Sequence, residues 1–306
     1  MRIGRTTGLT DTGRRRRRNE DAFVCRPPLF AVADGMGGAR AGEVAARLAA
    51  AALAEAGGEA RGEEAVTTLI AEANRRIWER AVSDPTTAGM GTTTTAALVD
   101  EQAGTVAIGH VGDSRAYLLR GGALEQLTTD HSLVAELVQS GVLTPEQAER
   151  HPQRSAITRA LGTEPTVQVE SLTVQGRPGD VYLLCSDGLS TMLGDDEVAA
   201  AIEHASGDPA TAAEALVTQA NARGGEDNIT VVLFELVEGE PEPGSGPTGP
   251  TPGEDEQPEP AEPASARRAE EIRTHGAGPG GRLASLGLIV ALLVVAALAL
   301  YWGISR

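Results

Sequence analysis

The sequence predicts an α+β domain with antiparallel sheets, and three observations carry that prediction. Short β-branched or alternating runs follow one another with no helix between them, as in TTTTAALVD and GTVAIGHVGDSRAYLLRGG. Amphipathic stretches come in pairs instead of alternating one-for-one with strands, which separates this chain from a doubly wound parallel sheet. Hydrophobic residues make up 41% of the 306, enough for a sizeable core, while aromatics make up only 3%, so that core must be mostly Ala, Val, Leu and Ile.

Taken in order, AFVCRPPLFAVAD reads as two short strands around a Pro-Pro turn. AGEVAARLAAAALAEAGG reads as a helix closed by glycine, and residues 63 to 82 as a second helix. The two runs quoted above follow, then VQVESLTVQ, DVYLLCSDG and NITVVLFELV as further strands, with helices at 195 to 206 and 209 to 223. Between Asp130 and Gly162 lies a segment with helical signals of its own: Thr144-Pro145-Glu146-Gln147 is a capping box with proline at the first helical position.

Charge and composition exclude several functions. A net charge of −17 argues against a nucleic-acid surface, which needs clustered positive charge to neutralise phosphates. All 26 basic residues are arginine. A P-loop nucleotide hydrolase or a protein kinase places a lysine on the nucleotide phosphates, so both readings lose their central residue, and Schiff-base chemistry goes with them. Cys25 and Cys185 sit in apolar strand-like runs as small hydrophobes, which points to a reducing compartment.

The chain divides into three parts. Residues 1–237 carry the alternation of apolar runs and turns. Residues 238–282 change to Pro, Gly, Glu and Ser, with eight acids and no Arg up to Ala266; such a segment is expected to be a disordered acidic linker. Residues 283–305, LASLGLIVALLVVAALALYWGIS, hold no charge and are long enough to cross about 30 Å of hydrocarbon, with Tyr301 and Trp302 as interfacial aromatics. Arg267, Arg268, Arg273 and Arg282 precede that helix and only Arg306 follows it. The positive-inside bias then predicts a single-pass cell-membrane protein whose large domain is cytoplasmic. The start of the chain has no apolar stretch of the kind that marks a secretory signal.

The acids repeat one setting. Asp21 opens AFVC, Asp34 ends LFAVAD, Asp113 lies at the bend between VAIGHVG and RAYLLR, Asp187 ends VYLLCSD, and Asp227 opens the last strand. Taken alone, the DGMGG after AVA is a tight turn. Several carboxylates gathered at one sheet edge, however, cannot all stay ionised without compensation, and oxygen-only ligands select hard cations such as Mg²⁺ or Mn²⁺.

These residues also carry a family resemblance. GRRRRRNED, ADGMGG, MGTT, GDSR, CSDG and EDNIT stand in the order and at spacings similar to the motifs of the PPM family, the metal-dependent protein serine/threonine phosphatases of type 2C, over Thr10 to about Leu236. The chain most resembles the bacterial, membrane-anchored members. The resemblance implies a β-sandwich of two antiparallel sheets flanked by helices. It also implies two Mn²⁺ or Mg²⁺ ions, bridged by Asp34 with the Gly35 carbonyl beside it. Asp187 and Asp227 would hold the first ion, Glu20 and Asp21 would act through waters on the second, and Asp113 with Asp187 would hold the third ion of many bacterial members. Arg16, four residues before Glu20, falls where the family places its phosphate-binding arginine; the rest of Arg14 to Arg18 reads as a solvated basic run.

What this implies is hydrolysis of phosphoserine and phosphothreonine by a metal-activated water, opposing cytoplasmic serine/threonine kinases that are themselves candidate substrates. Met36 stands where animal members carry a histidine proposed as general acid; a water on a metal is the expected proton donor, with His110 and His131 the nearest histidines to test against it. The segment 132–161 corresponds to a flap that influences substrate choice. Two alternatives share the motifs: a dedicated phosphatase of one anti-sigma-type regulator, and a non-enzymatic membrane-tethered phosphoprotein scaffold.

Overall fold

A computed structural model describes residues 1–37, 41–58 and 60–239. The chain divides into two units, Met1–Pro250 and Thr251–Arg306, and all described residues belong to the first. Nearly all of the acidic segment 238–282 and the whole apolar segment 283–305 lie outside the described residues. Among the described residues no helix is long and apolar enough to cross a membrane.

The elements run β1 (Arg2–Asp11), β2 (Asp21–Arg26), β3 (Leu29–Met36), α1 (Ala41–Ala56), α2 (Gly62–Ser83), β4 (Gly91–Thr92), β5 (Thr94–Asp100), β6 (Thr105–Val111), β7 (Arg115–Arg120) and β8 (Ala123–Gln126). They continue with α3 (Leu133–Gln139), α4 (Pro145–Glu149), β9 (Glu170–Gln175), β10 (Val181–Cys185), α5 (Asp187–Ser190), α6 (Asp195–His204), α7 (Pro209–Ala222) and β11 (Ile229–Val237). Two sheets form, in the orders β1-β11-β10-β7-β8 and β2-β3-β5-β6-β9, with β4 on β3. Every pairing is antiparallel.

Packing explains why the strands read as continuous apolar runs, since each sheet is covered on both faces. Phe30 and Val32 of β3 point between the sheets, where Phe30 stacks on Phe234 of β11 at 4.2 Å and Phe234 on Tyr182 of β10 at 4.9 Å. Leu29, Ala31 and Ala33, the alternate positions, pack outward with Ala45, Ala49 and Leu53 of α1 and Ile70 of α2. The other sheet turns Leu183, Val231 and Leu233 outward onto Ile202 of α6 and Leu216 of α7. The few aromatics are thus concentrated in the middle layer, and alanine fills the helix contacts.

Local signals set the ends. Gly57 follows α1 and donates to the Leu53 carbonyl at 2.9 Å. The capping box at α4 forms in both directions, with Thr144 N–H on Gln147 Oε1 at 2.8 Å. Two edge strands, β1 and β8, carry no readable period, because ladder hydrogen bonds and not a buried side-chain face hold them. Within β1 even a methyl is excluded at Gly8, where an added Cβ would lie 2.3 Å from the Phe23 ring.

Candidate active site

The two sheets deliver acids to one end of the sandwich. Asp21 and Asp34 face each other across β2 and β3. Asp187 follows β10 and Asp227 precedes β11, its neighbour in the other sheet. Asp113 lies on the β6–β7 connection, which passes from one sheet to the other. Glu20 stands just ahead of β2, so all six predicted acids come to the same edge.

Main-chain and hydroxyl contacts hold them there. The Asp34 N–H donates to Thr93 Oγ1 at 3.2 Å, and its carbonyl accepts from Thr92 Oγ1 at 2.8 Å and Thr93 N–H at 2.9 Å. Asp21 Oδ2 accepts the hydroxyls of Ser186 at 2.9 Å and Thr230 at 2.6 Å, one from each strand that carries a predicted metal acid. Asn228 accepts the Glu20 N–H at 2.7 Å. Asp113 is positioned by the turn before it: Gly112 has φ +113, its N–H donates to His131 Nδ1 at 3.0 Å, and its carbonyl accepts the His131 N–H at 2.7 Å. Arg16 donates to Asp227 Oδ2 at 2.6 Å from an exposed position.

Burial and mutual repulsion push these carboxyls up. Burial, then neighbouring acids, takes Asp21 and Asp113 up to about 7 and Asp187 up to about 6. Asp34 is raised well above the usual range by burial and by Asp21, Asp187, Asp113 and Asp227 around it. Glu20 is also raised, by burial and by Glu43 of α1 and Asp227, although Arg16 pulls the other way. Asp21 Oδ1 and Asp187 Oδ1 are buried with no hydrogen-bond partner among the described residues.

That donor set fits divalent cations. It contains only oxygen, its members repel one another, and two of its buried acceptors are orphaned, a cost that a hard cation removes. Among the described residues no three potential ligands converge into a closed cage, as like charges without a counterion would not.

Two sequence expectations are corrected. The strand LFAVAD continues past Asp34 to Met36, because β4 pairs Gly35 with Thr92 and Met36 with Gly91. Gly35 is therefore a strand residue and not a turn. Glycine is required there by packing: an added Cβ would fall 2.3 Å from the Gly42 carbonyl oxygen and 2.4 Å from that of Glu20. The turn residue is Gly37, with φ +144. Gly35→Ala is expected to lower unfolding free energy by about 1–3 kcal/mol, read by chemical denaturation, since both obstacles are main chain. The histidines, set against a metal-bound water as proton donors, are engaged elsewhere. His110 is buried, bonded to Thr95 Oγ1 at 2.8 Å and near the Thr129 carbonyl, and burial pushes it down to about 3. His131 stacks on it at 4.8 Å and faces Glu170 and Arg159.

Ser186, Thr230, Asn228 and Thr93 fall within the motifs CSDG, EDNIT and MGTT, but the sequence reading gave them no role of their own. Their signal was present as polar residues inside or beside apolar strands, where a buried hydroxyl needs a partner. From Asp113 and Asp187 a groove of about 890 Å³ runs along α3 and α4, with Val134, Val138 and Arg154 on one side and Met192 on the other.

The comparisons agree with this geometry. The protein phosphatase 2C family pattern matches residues 14–219. The serine/threonine phosphatase stp of Listeria monocytogenes is 42% identical over 238 residues, covering 74% of this chain and 93% of that protein. The serine/threonine protein phosphatase PstP of Mycobacterium tuberculosis is 42% identical over 241 residues, 76% of this chain but 45% of that protein. The crystal structure of the M. tuberculosis phosphatase PstP/Ppp superimposes with a TM-score of 0.72 at 40% identity, covering 77% of this chain and 100% of that one. A structure of the PstP catalytic domain in complex with two manganese ions gives 0.70 at 38% identity, covering 77% and 99%. With its acids on one sandwich edge and an arginine beside them, the chain belongs to the protein phosphatase 2C family.

Proposed function

We propose that the chain hydrolyses phosphoserine and phosphothreonine in proteins, with Mn²⁺ or Mg²⁺ at the carboxylate edge. The observation that carries this is the gathering of mutually repelling, partly orphaned carboxylates from both sheets beside Arg16. Asp34, the Gly35 carbonyl, Asp187 and Asp227 would hold two ions, with Glu20 and Asp21 acting on the second through waters and Asp113 with Asp187 offering a third position. When bound, such ions activate a water for in-line attack on phosphorus and neutralise charge in the transition state.

The chain's own residues do the rest. Ser186 and Thr230 fix one oxygen of Asp21 and leave the other facing the site. Arg16 presents a planar fork suited to a phosphate; its pair with Asp227 is exposed and so easily exchanged for the substrate. The groove beside α3 and α4, within the segment 132–161, receives the polypeptide around the phosphorylated residue. No cysteine route competes: burial pushes Cys185 up to about 12, and Cys25 is raised as well.

The test is hydrolysis of a phosphothreonine peptide by the purified chain with Mn²⁺ and with chelator. Turnover that requires the metal supports the reading; a folded, Mn²⁺-treated chain without turnover sinks it. Arg16→Ala is expected to raise KM by about ten- to a hundredfold, with the smaller change in kcat, as for a lost charge-assisted hydrogen bond.

We further propose that residues 283–305 anchor the protein in the cell membrane, with the phosphatase domain cytoplasmic and serine/threonine kinases among its substrates. Support comes from the length and apolarity of that segment and its arginine flank. Recovery of the full chain in the membrane fraction, lost on deleting 283–305, checks the anchor.

A further inference from the structure

Arg14 to Arg18 form five consecutive arginines at the rim of the site, and among the described residues only Arg16 makes an ion pair. The other four side chains are exposed. A run of this kind is ordinarily a solvated stretch on a loose loop. This one is fastened. The Gly13 N–H donates to Asp11 Oδ1 at 2.8 Å, and Gly13 takes φ +78 where a Cβ would strike the Asp227 carbonyl. The N–H groups of Arg14 and Arg15 both donate to the Gly225 carbonyl, at 2.7 and 3.2 Å. Asn228 Nδ2 brackets the run, donating to the Thr12 and Arg18 carbonyls at 2.9 Å each.

Every one of these anchors uses main chain of the run or of the two residues before it, so the arginine side chains are left over. The anchoring residues Gly225 and Asn228 flank Asp227, which ties the arginines to the same loop that carries a predicted metal acid.

We propose that Arg14, Arg15, Arg17 and Arg18 form a cationic docking rim for acidic side chains flanking the phosphorylated residue of a substrate protein. The inference rests on the phosphatase reading above and adds a substrate preference to it. Continuity with the site carries it: Arg16, at the centre of the run, pairs with Asp227 at 2.6 Å. A phosphate reaching Arg16 brings its neighbours, spaced about 3.3–3.6 Å apart along an extended chain, past the adjoining arginines. Charge complementarity carries it further. The carboxylate edge repels an acidic chain, and the rim offsets that repulsion where the chain must pass. Because the frame is already fixed, little ordering is required on binding, and the guanidinium fork grips carboxylates in two-point fashion.

The test compares kcat/KM of the full Mn²⁺-loaded chain for two phosphothreonine peptides that differ only in carrying Glu or Gln at the positions flanking the phosphothreonine. The Glu peptide is expected to be favoured about tenfold at about 20 mM salt and about twofold or less at about 300 mM, as screening shortens the reach of exposed charges. A variant with Arg14, Arg15, Arg17 and Arg18 all replaced by Gln is expected to show no preference at either salt. The salt dependence of the unaltered chain decides the matter even where that variant fails to fold.

Turnover of both peptides at equal efficiency in low salt overturns the rim and leaves the phosphatase reading intact. Absence of turnover with either peptide removes the phosphatase reading, and the rim with it. A third result, equal efficiencies that both rise as salt is added, would mean that the rim is occupied by the chain's own acids, eight of which lie between Glu238 and Ala266, and would also overturn the assignment to substrate.

Discussion

Asp34→Asn is expected to lower kcat toward a phosphothreonine peptide by about three orders of magnitude or more at saturating Mn²⁺, with the fold retained. Asp34 is the acid that four other carboxylates surround, so it is the position through which bound cations are best shared. Losing roughly 4–5 kcal/mol of transition-state stabilisation, the scale of one cation's contribution, corresponds to that factor at about 1.4 kcal/mol per tenfold. The fold survives because the contacts that place residue 34 are made by its main chain, to Thr92 and Thr93. In the metal-free chain the same substitution is expected to raise the thermal midpoint by several degrees at about pH 8, since it removes one member of a repelling cluster. Activity and stability thus move in opposite directions, which steady-state kinetics and calorimetry can read on one preparation. A fall in both would make Asp34 a structural residue.

The second large effect is in pH. Asp21, Asp113 and Asp187 hold protons in the folded chain up to about 7, 7 and 6, against about 3.9 when unfolded. Groups raised in this way stabilise the fold below the unfolded value, and that stability is lost as pH rises through the folded one. The metal-free chain should therefore gain about 3 kcal/mol as pH falls from about 8 to about 6. The buried histidines work the other way. His110, pushed down to about 3, and His131, also lowered, contribute stability above about 6.5 that is lost on acidification. The histidines therefore weaken the gain below about pH 6.5 without reversing it, and the metal-free chain is expected to be most stable on the acidic side of about pH 6. Mn²⁺ binds the deprotonated acids and adds about 2.7 kcal/mol per site at a hundredfold excess over Kd, so it should move the optimum upward. Thermal unfolding across this range with and without Mn²⁺ checks both statements, and a flat metal-free profile between about pH 6 and 8 would refute the clustering.

Much of this was legible in the sequence where side chains carry a period or a fixed spacing. The strands at 29–36, 94–100 and 181–185 announce themselves because both faces are buried, and the acids stand out because each follows or precedes such a run. Arg16 could be picked from the five arginines only because the family resemblance places the phosphate-binding arginine four residues before Glu20. What stayed hidden depends on pairing between distant segments. β1 has no hydrophobic period, since its role is to complete the ladder of β11. The need for glycine at 35 is set by the backbones of residues 20 and 42 and not by its own turn propensity. Ser186 and Thr230 look like ordinary strand-end polar residues until Asp21 is seen between their hydroxyls.

The pairing of the first strand with the last has a consequence for synthesis. Thr10 meets Thr230 across that ladder, and Asp21 receives its second hydroxyl from the same distant residue. At roughly 5–20 residues per second, translation leaves β1 without its neighbour for on the order of ten seconds or more, and over that interval the acid edge gains its members one by one without the strand that completes it. A nascent chain stopped before β11 therefore owns neither a finished sandwich nor the Thr230 hydroxyl that helps fix Asp21, and it is expected to lack activity on a phosphoprotein. The newborn enzyme is silent until its final strand clears the ribosome, and truncated translation products are silent permanently.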